Sequence, residues 1–344
     1  MTRIGVVGAT GLVGNEMLRI LEERKFPVQE LRAFASSRSE GRRVPFGERW
    51  VRCEVLRPGC FEGLDLVMID VDDPLAVEWA PVAAEAGAKV VDNSAAFRME
   101  PDVPLVVAEV NPDDVDEMPR RIVSCPNCTT MVLLTAVAPL HRAAGIERMV
   151  VSTYQSVSGA GQAGIRELDD QWTRDVSRTE RLRRAGALEG LIVPGQVWPK
   201  PIAANVIPLA GSVGERGYTS EEWKLVHETR KILHDDSVAV TATCVRVPVY
   251  VGHAMAVNLS FRSPVTRGQA LELLGRAPGV RLVDDGNGYP TPLDSAGIDP
   301  VLVGRVRSDP SNPGGLDLWV TGDNLRKGAA LNAVQLAELI VDRE

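Results

Sequence analysis

A cysteine with the surroundings of a nucleophile lies in the segment Ser124-Cys125-Pro126-Asn127-Cys128-Thr129-Thr130. Pro126 disfavours helix in the residue before it, so we expect a helix to begin just after Asn127. Cys128 would then lie at a helix N-terminus, where unpaired N–H groups and the positive end of the helix dipole favour a thiolate. A thiolate at a strand-to-helix corner is a typical enzyme nucleophile, whereas the alternative is one more buried structural cysteine.

His253 is the best candidate for a general acid or base, because histidine titrates near neutral pH and this one follows Gly252. Residues 238–247 alternate as a strand and residues 254–261 make the expected return strand. Arg246 and His253 would therefore flank a hairpin-like segment. The other histidines lie beside charged residues in helical patterns and are expected at the surface: His141, His227 and His234.

Charged residues elsewhere are weaker candidates when taken singly. A helix is expected from Ser220, as its N-cap, to about Leu233. Glu221 and Lys224 are three residues apart on one face of it, which usually indicates a solvated ion pair of little energetic value. Arg98 follows a strand, where ligands gather in parallel sheets, although an isolated arginine is usually a surface charge.

The N-terminal segment predicts a dinucleotide-binding turn. The short strand Ile4–Val7 leads into Gly8-Ala9-Thr10-Gly11-Leu12-Val13-Gly14, and apolar residues at helical spacing follow. In this context a GxxGxxG motif binds pyrophosphate at a helix N-terminus, with bare backbone at Gly8 and Gly11 allowing close approach. The alternative is a structural turn without a ligand. The candidate cofactor contacts are Gly8, Thr10, Gly11, Leu12 and Val13.

The next strand, Leu31–Ala35, ends without the acidic residue that would bind a ribose 2′-hydroxyl. Ser36, Arg38 and Ser39 follow instead, and a guanidinium with flanking hydroxyls can hold a 2′-phosphate. These residues favour NADP over NAD, and a solvated loop is the competing interpretation.

Repeated β-α-β units predict the fold of the first half of the chain. Strands at residues 66–69 and 89–92 flank a crossover helix at 74–86, which indicates a mostly parallel, doubly wound sheet with helices on both faces. After the Cys128 helix we expect a strand at 148–155 and a backbone-rich loop at 156–161. A nicotinamide ring or substrate could approach that loop closely at Ser158 and Gly159. An apolar-faced helix ending near Val341 is expected to dock back on the first domain.

Bulk composition excludes several classes of protein. The 344 residues are enough for two domains, and the net charge of -8 disfavours nucleic-acid binding. No apolar stretch approaches membrane-spanning length, and we expect no signal peptide because Met1-Thr2-Arg3 runs directly into the first strand. Five cysteines and four histidines are too few and too scattered for a disulfide framework, and we expect no metal site. We therefore expect a cytoplasmic protein.

Taken together, these motifs resemble the aspartate-β-semialdehyde dehydrogenase family in order and spacing along nearly the whole chain. The matching stretches are residues 8–14, 92–94, 126–130, 152–161, 221–224, 244–247 and 323–335. The resemblance implies a Rossmann-like domain plus an α+β catalytic and dimerisation domain with a mixed or antiparallel sheet. It further implies reversible, NADP(H)-dependent conversion of L-aspartyl 4-phosphate to L-aspartate 4-semialdehyde and phosphate, on the route to lysine, threonine and methionine. The expected assembly is a homodimer, or a tetramer.

The resemblance also assigns roles position by position. Cys128 corresponds to the nucleophile that forms a thioester, His253 to the acid/base, and Gln155 to the residue that orients the acyl intermediate. Arg246 and Glu221 would hold the carboxylate and amine of the substrate. The residues implied to hold its phosphate are Arg98, Asn127 and Lys224, and Asn324 falls where the family contacts nicotinamide. The implied domains are residues 1–127, completed by 324–344, and residues 128–323.

Two departures from the family pattern raise alternatives. Asp70-Val71-Asp72-Asp73 stands where the family tends to have small residues, and carboxylates near a cofactor phosphate would repel it unless they face solvent. Cys125 makes a CxxC pair with Cys128, and its oxidation would silence the nucleophile reversibly. The rival functions are a non-catalytic nucleotide-binding or subunit-partner paralogue and a related acyl-phosphate reductase such as N-acetyl-glutamyl-phosphate reductase. Because the nucleophile of the latter usually follows Gly, Asn127 counts against it.

Overall fold

The computed structural model describes residues 1–175, 195–284 and 288–343, which contain two sheets. The first sheet has the strand order β3-β4-β2-β1-β5-β6-β7. Its strands are β1 (Thr2–Val7), β2 (Val28–Phe34), β3 (Arg43–Phe46), β4 (Arg49–Glu54), β5 (Leu66–Ile69), β6 (Lys89–Asp92) and β7 (Ile122–Ser124). Only the β3–β4 pair is antiparallel. The two strands of this edge ribbon contain arginines, so looking for apolar runs in the sequence does not find them.

Helices cover both faces of this sheet. Helix α1 (Leu12–Glu23) and the last helix, α8 (Leu331–Asp342), pack on one face, and α2 (Asp73–Glu85) packs on the other. The chain leaves β1 towards β2 on one side and later returns to β5 on the other, so the sheet is doubly wound. A crevice forms at such a switch point, at the carboxyl ends of the strands. The predicted Rossmann-like fold and the docking of the C-terminal helix are both confirmed.

The second sheet is mixed, with the order β11-β12-β13-β10-β8-β9. Its strands are β8 (Ile146–Gln155), β9 (Ala239–Arg246), β10 (His253–Phe261), β11 (Val280–Val283), β12 (Val301–Ser308) and β13 (Leu316–Gly322). β8 pairs with β9 in parallel and with β10 antiparallel. The predicted hairpin-like segment is therefore wrong, because β8 lies between its two strands. The residues between β9 and β10 instead accept hydrogen bonds from the loop after β8. Val157 N donates to Val249 O, and Ser158 N donates to Tyr250 O.

Helix α3 links the two sheets. It runs over Cys128–Ala144, directly after β7, and its apolar residues belong to the core of the second sheet. Among the described residues, this half also contains the helices α4 (Gly161–Asp175), α5 (Ser220–Leu233), α6 (Arg267–Gly275) and α7 (Pro292–Ser295). A π-helical turn, Arg326–Ala330, leads into α8 and contacts α3. The nucleophile candidate therefore lies where the two sheets meet.

The predicted domain limits fall at the start of α3 and just before the π-helical turn. Residues 176–194, 285–287 and Glu344, which belong to the predicted domains, lie outside the described residues. Within the described residues, no helix combines the length and apolarity that crossing a membrane requires.

Candidate active site

A cavity of about 810 Å³ lies between the first sheet, the start of α3 and the second sheet. Most of the predicted site residues line it: Gly11, Leu12, Val13, Arg98, Asn127, Cys128, Gln155, Ser158, Gly159, Glu221, Lys224, Arg246, His253 and Asn324. They come from seven separate parts of the chain. The fold thus brings together the glycine turn, the candidate nucleophile and the candidate acid/base.

Asn127 lies directly before Cys128, the candidate nucleophile, at the N-terminus of α3. Its side-chain oxygen accepts a hydrogen bond from Thr129 N at 2.9 Å, so Asn127 is the N-cap and Cys128 is the first helical residue. The predicted helix start is confirmed. Thr129 in turn accepts a hydrogen bond from Gln155 Nε2 at 2.8 Å, which holds the Gln155 amide at the residue that follows Cys128.

The Cys128 thiol and the His253 imidazole are in direct contact, with 3.3 Å between Sγ and Nε2. His253 is fully buried, and burial followed by the charge of Arg246 lowers its pKa to about 3. Ser156 N donates a hydrogen bond to His253 Nδ1 at 3.1 Å. Because a backbone N–H can only donate, Nδ1 carries no proton, and the proton of the neutral ring is on Nε2, facing the sulfur.

The surroundings of the Cys128 sulfur favour the thiol and not the expected thiolate. Burial raises its pKa, and the negative charge of Glu221 adds to this effect. Thr129, Arg246 and Lys224 act in the opposite direction but do not prevail. A helix N-terminus alone is therefore insufficient to ionise this thiol, because desolvation and a nearby carboxylate both disfavour a second negative charge.

Arg246 and Gly159 fit closely against His253. Arg246 Nη1 donates to Ser156 O at 2.7 Å, and its Nε is buried without a hydrogen-bond partner among the described residues. A Cβ on Gly159 would lie 2.7 Å from Arg246 Nη1 and 3.2 Å from His253 Cε1. Gly159 is thus required by the packing of two site residues, which sequence reasoning attributed to ligand approach alone.

The pair Glu221 and Lys224 is not the solvated ion pair that is usual for this spacing. Lys224 Nζ lies 2.7 Å from Glu221 Oε1, and Asn127 Nδ2 donates to Glu221 Oε2 at 2.9 Å. Both side chains line the cavity. Although burial opposes ionisation, Lys224 keeps the pKa of Glu221 low.

The prediction that Ser220 is the N-cap of α5 is wrong. The helix starts one residue earlier, so Thr219 is the N-cap and forms a capping box with Glu222.

Glu228 is a site residue that the sequence analysis missed. Its Oε1 pairs with Arg98 Nη1 at 3.1 Å, and its Oε2 accepts from Asn127 N at 2.7 Å. Both charged side chains are almost fully buried. Glu228 lies four residues after Lys224 and seven after Glu221, so its position on the same helical face was the available signal.

The glycine turn is built more for backbone packing than for ligand approach. Gly8 has φ +87°, and a Cβ there would lie 2.0 Å from Asp70 O. A Cβ on Gly14 would lie 2.2 Å from Gly8 O. Gly11 alone of these lines the cavity, as the N-cap of α1 without a side-chain capping bond. Its uncapped helix N-terminus leaves N–H groups free for a phosphate, so the turn fits a dinucleotide.

The remaining predicted cofactor residues lie away from this cavity. Gly8 and Thr10 belong to the turn behind Gly11, whereas the predicted 2′-phosphate residues lie in a surface turn after β2. Gly8 N bonds to Phe34 O, the last residue of β2, so the two turns are adjacent. The residues of the surface turn are Ser36, Arg38 and Ser39.

Asn324 organises the loops on the far side of the cavity. Its Oδ1 accepts from Ser156 Oγ and Gly252 N, both at 2.9 Å. Its Nδ2 donates to Ser158 Oγ at 2.9 Å. This network joins the loop after β8 to the residue before His253, and Ser156 is a further member that the sequence analysis did not single out.

The carboxylates of the 70–73 segment have different surroundings. Asp70 and Asp73 line the cavity, whereas Asp72 is exposed at the start of α2. The three carboxylates therefore neither all face the cavity nor all face away from it, as the two expectations supposed.

Cys125 and Cys128 have separate partners. The Cys125 thiol is buried beside Asn332 Nδ2 of α8, 3.7 Å away, whereas the Cys128 thiol contacts His253. All five cysteines of the chain are free. Oxidation of the pair would require both thiols to leave these partners, and its regulatory role stays a prediction.

Two of the predicted surface histidines are exposed, but His141 is half-buried. Its Nδ1 accepts from Ile146 N at 3.1 Å, which caps the turn between α3 and β8. Among the described residues, no group of three or more His, Cys, Asp or Glu side chains is arranged to hold a metal ion.

Comparison with known proteins agrees with this geometry. Residues 3–118 match the family model "Semialdehyde dehydrogenase, NAD binding domain", and residues 137–327 match "Semialdehyde dehydrogenase, dimerisation domain". The chain is 49% identical to the aspartate-semialdehyde dehydrogenase of Streptomyces akiyoshiensis over 98% of both chains.

Solved structures give the same result. Aspartate semialdehyde dehydrogenase II from Vibrio cholerae, complexed with ASA, has a TM-score of 0.93 and 44% identity, covering 99% of this chain and 98% of that one. The Candida albicans enzyme with NADP has 24% identity and a TM-score of 0.74 over 99% and 98% of the two chains, and shares the fold. From its sequence, its fold and its cavity, the chain belongs to the aspartate-semialdehyde dehydrogenase family.

Proposed function

We propose that this protein is an NADP-dependent aspartate-semialdehyde dehydrogenase. It converts L-aspartyl 4-phosphate to L-aspartate 4-semialdehyde and phosphate, at the branch point towards lysine, threonine and methionine. The observation that carries this proposal is the 3.3 Å contact between Cys128 Sγ and His253 Nε2 in a cavity that Gly11 also lines. A nucleophile, a proton donor and a dinucleotide turn can all reach one carbon atom there.

The charged groups of the cavity suit the substrate. Arg246 would bind its α-carboxylate, and Glu221 its amine, with opposite charges on the two ends fixing the orientation. Arg98 and Lys224, with the Asn127 amide, would hold its phosphate. Each of these side chains lines the cavity, and the two cations offset the charge of the leaving phosphate.

Cys128 Sγ would attack the acyl carbon and form a thioester, while the bond from this carbon to the phosphate oxygen breaks and the departing phosphate takes up the thiol proton. A bound NADPH would supply the hydride that reduces the thioester carbon. His253 Nε2–H would share its proton with the resulting oxyanion and take it back as the oxyanion collapses, so that the Cys128 sulfur leaves as the thiolate and the aldehyde is released. Gln155, fixed through Thr129, would orient the acyl group.

Substrate binding would also favour the reactive thiolate. Glu221 is one of the groups that raise the pKa of Cys128. A substrate ammonium at Glu221 would neutralise that carboxylate and lower the thiol pKa. The nucleophile would thus ionise more fully when a substrate is in place.

The cofactor assignment combines two regions. Leu12, Val13 and Gly11 would contact pyrophosphate at the start of α1, with Gly8 and Thr10 shaping the turn. The surface turn with Arg38 would bind the 2′-phosphate through Ser36 and Ser39 as well. The nicotinamide contacts would be Ser158, Gly159 and Asn324, which line the cavity near Cys128.

The assembly and location are part of the same proposal. The match to a dimerisation-domain model over residues 137–327 supports a homodimer formed through the second domain, or a tetramer built from it. The domain division at residues 127/128, with 324–344 completing the first domain, suits the two sheets. Five free cysteines suit a cytoplasmic, reducing compartment.

The test of the function is a turnover assay. Aspartate semialdehyde, NADP⁺ and inorganic phosphate should give NADPH, whereas omission of phosphate should reduce the rate to background, because phosphate must cleave the thioester. N-acetylglutamate semialdehyde should be inert, since Glu221 would lose its ammonium partner. Tight NADPH binding without turnover would instead favour the non-catalytic paralogue, and turnover of the acetylated substrate would favour the related reductase.

The raised thiol pKa predicts the pH dependence of Cys128 alkylation. A raised pKa keeps Cys128 mainly as the uncharged thiol near neutral pH. Because the thiolate fraction then still grows as the pH increases, the rate of inactivation by iodoacetamide should rise continuously from about pH 6 to 9. Aspartate should shift the curve to lower pH by neutralising Glu221. A rate already constant at pH 6 would indicate a thiolate–imidazolium pair, which the Ser156 N–H bond to His253 opposes.

A further inference from the structure

Asp70 lies at the carboxyl end of β5, beside the glycine turn. Its backbone N–H bonds to Val7 O, the last residue of β1, at 3.0 Å. Its Oδ1 accepts from Asn93 Nδ2 at 2.8 Å. Its Oδ2 has no hydrogen-bond donor among the described residues and lies 3.9 Å from the position of a Cβ on Gly11. One carboxylate oxygen is thus held by the protein while the other remains available in the cavity.

The position of Asp70 relates it to one part of a dinucleotide. The cofactor pyrophosphate belongs at the N-terminus of α1, next to Gly11, and the nicotinamide must reach Cys128. Asn93, the partner of Asp70, directly follows β6, the next strand towards Cys128, and Arg98 Nη2 donates to its backbone oxygen at 3.0 Å. The sugar that joins pyrophosphate to nicotinamide must span this stretch, and it carries two hydroxyl donors.

We propose that Asp70 accepts a hydrogen bond from a hydroxyl of the nicotinamide ribose through its free carboxylate oxygen. This inference rests on the proposed function, because it requires a nicotinamide dinucleotide in the cavity. It gives a binding role to a residue type that departs from the small residues expected there. Carboxylates bind vicinal ribose hydroxyls in other dinucleotide sites in the same way.

The competing arrangements place Asp70 against phosphate. An ionised carboxylate there would repel the pyrophosphate. Because burial raises the pKa of Asp70, a protonated carboxyl that donates to a phosphate oxygen is the second competitor. Asp73 also lines the cavity, but it is an exposed residue at the start of α2, and its Oδ1 accepts from Ala95 N at 2.8 Å.

Two ligands and two variants separate these arrangements. Dissociation constants are measured for NADPH, by its fluorescence, and for 2′-phospho-ADP, which has the 2′-phosphate and both phosphates of the pyrophosphate but lacks the nicotinamide ribose. Asp70→Ala removes the proposed contact. Asp72→Ala removes an equal charge two residues away, where the side chain is exposed and makes no capping bond.

Asp70→Ala should weaken NADPH binding about 10-fold or more, as expected for one hydrogen bond to a charged group, and leave 2′-phospho-ADP binding within about 2-fold. Asp72→Ala should change neither constant. Tighter NADPH binding, equal weakening for both ligands, or no change in Asp70→Ala would each overturn the inference. Retained 2′-phospho-ADP binding shows that the variant is folded. Wild-type protein that does not bind NADPH would instead refute the proposed function itself.

Discussion

Cys128→Ala should lower the rate of phosphate-dependent NADP⁺ reduction by about 10⁴-fold or more, because the side chain that is proposed to form the thioester would be gone. NADPH binding should remain close to that of the wild type. The loss would therefore be in kcat, since the remaining groups of the cavity still bind substrate. Steady-state kinetics and an NADPH fluorescence titration on the same preparation measure the two effects.

Cys125→Ala is the matched control for this variant. Cys125 is three residues away, fully buried, and contacts Asn332 rather than the cavity. It should lose stability from the small void but keep its turnover rate within about 3-fold, as expected for a core substitution away from the reacting atoms. Equal loss of turnover in both variants would show that activity depends on the packing below α3 and would contradict the nucleophile assignment.

The sequence was sufficient to predict the elements that carry the chemistry. Pro126 and Asn127 determine where α3 begins through local backbone and capping effects, and the same is true of the glycine turn before α1. Such features depend on neighbours in sequence. The order of strands in the second sheet does not, and β8 therefore separates two strands that local pattern joins as a hairpin.

The electrostatics of the site could not be predicted for a related reason. A helix N-terminus favours a thiolate, but the burial of Cys128 and the carboxylate of Glu221, 93 residues later in the chain, reverse the direction of the pKa shift. Similarly, Ser156 sets the proton position on His253 through a backbone bond that no side-chain motif records. Contacts between distant segments decide these properties.

Glu228→Ala should be the most destabilising of the single substitutions considered. It would leave the buried Arg98 guanidinium without its carboxylate and Asn127 N–H without its acceptor. Breaking one side of a buried ion pair costs about 3–5 kcal/mol, which urea denaturation would measure as a large fall in the free energy of unfolding. Turnover should also fall, because both the arginine that is proposed to bind phosphate and the N-cap of α3 would lose their support.

A control and a double variant separate the two effects. Glu272→Ala breaks the exposed ion pair with Arg276 and should leave stability unchanged. Replacing both buried partners, as Arg98→Met with Glu228→Leu, should recover part of the stability that Glu228→Ala loses, because no unpaired charge remains. The recovery should be incomplete, because the Asn127 N–H still lacks its acceptor. The double variant should not recover turnover, since it lacks the arginine that is proposed to bind the phosphate. If Glu228→Ala were as stable as Glu272→Ala, the buried pair would not hold the start of α3. If the double variant regained turnover, Arg98 would have no part in phosphate binding.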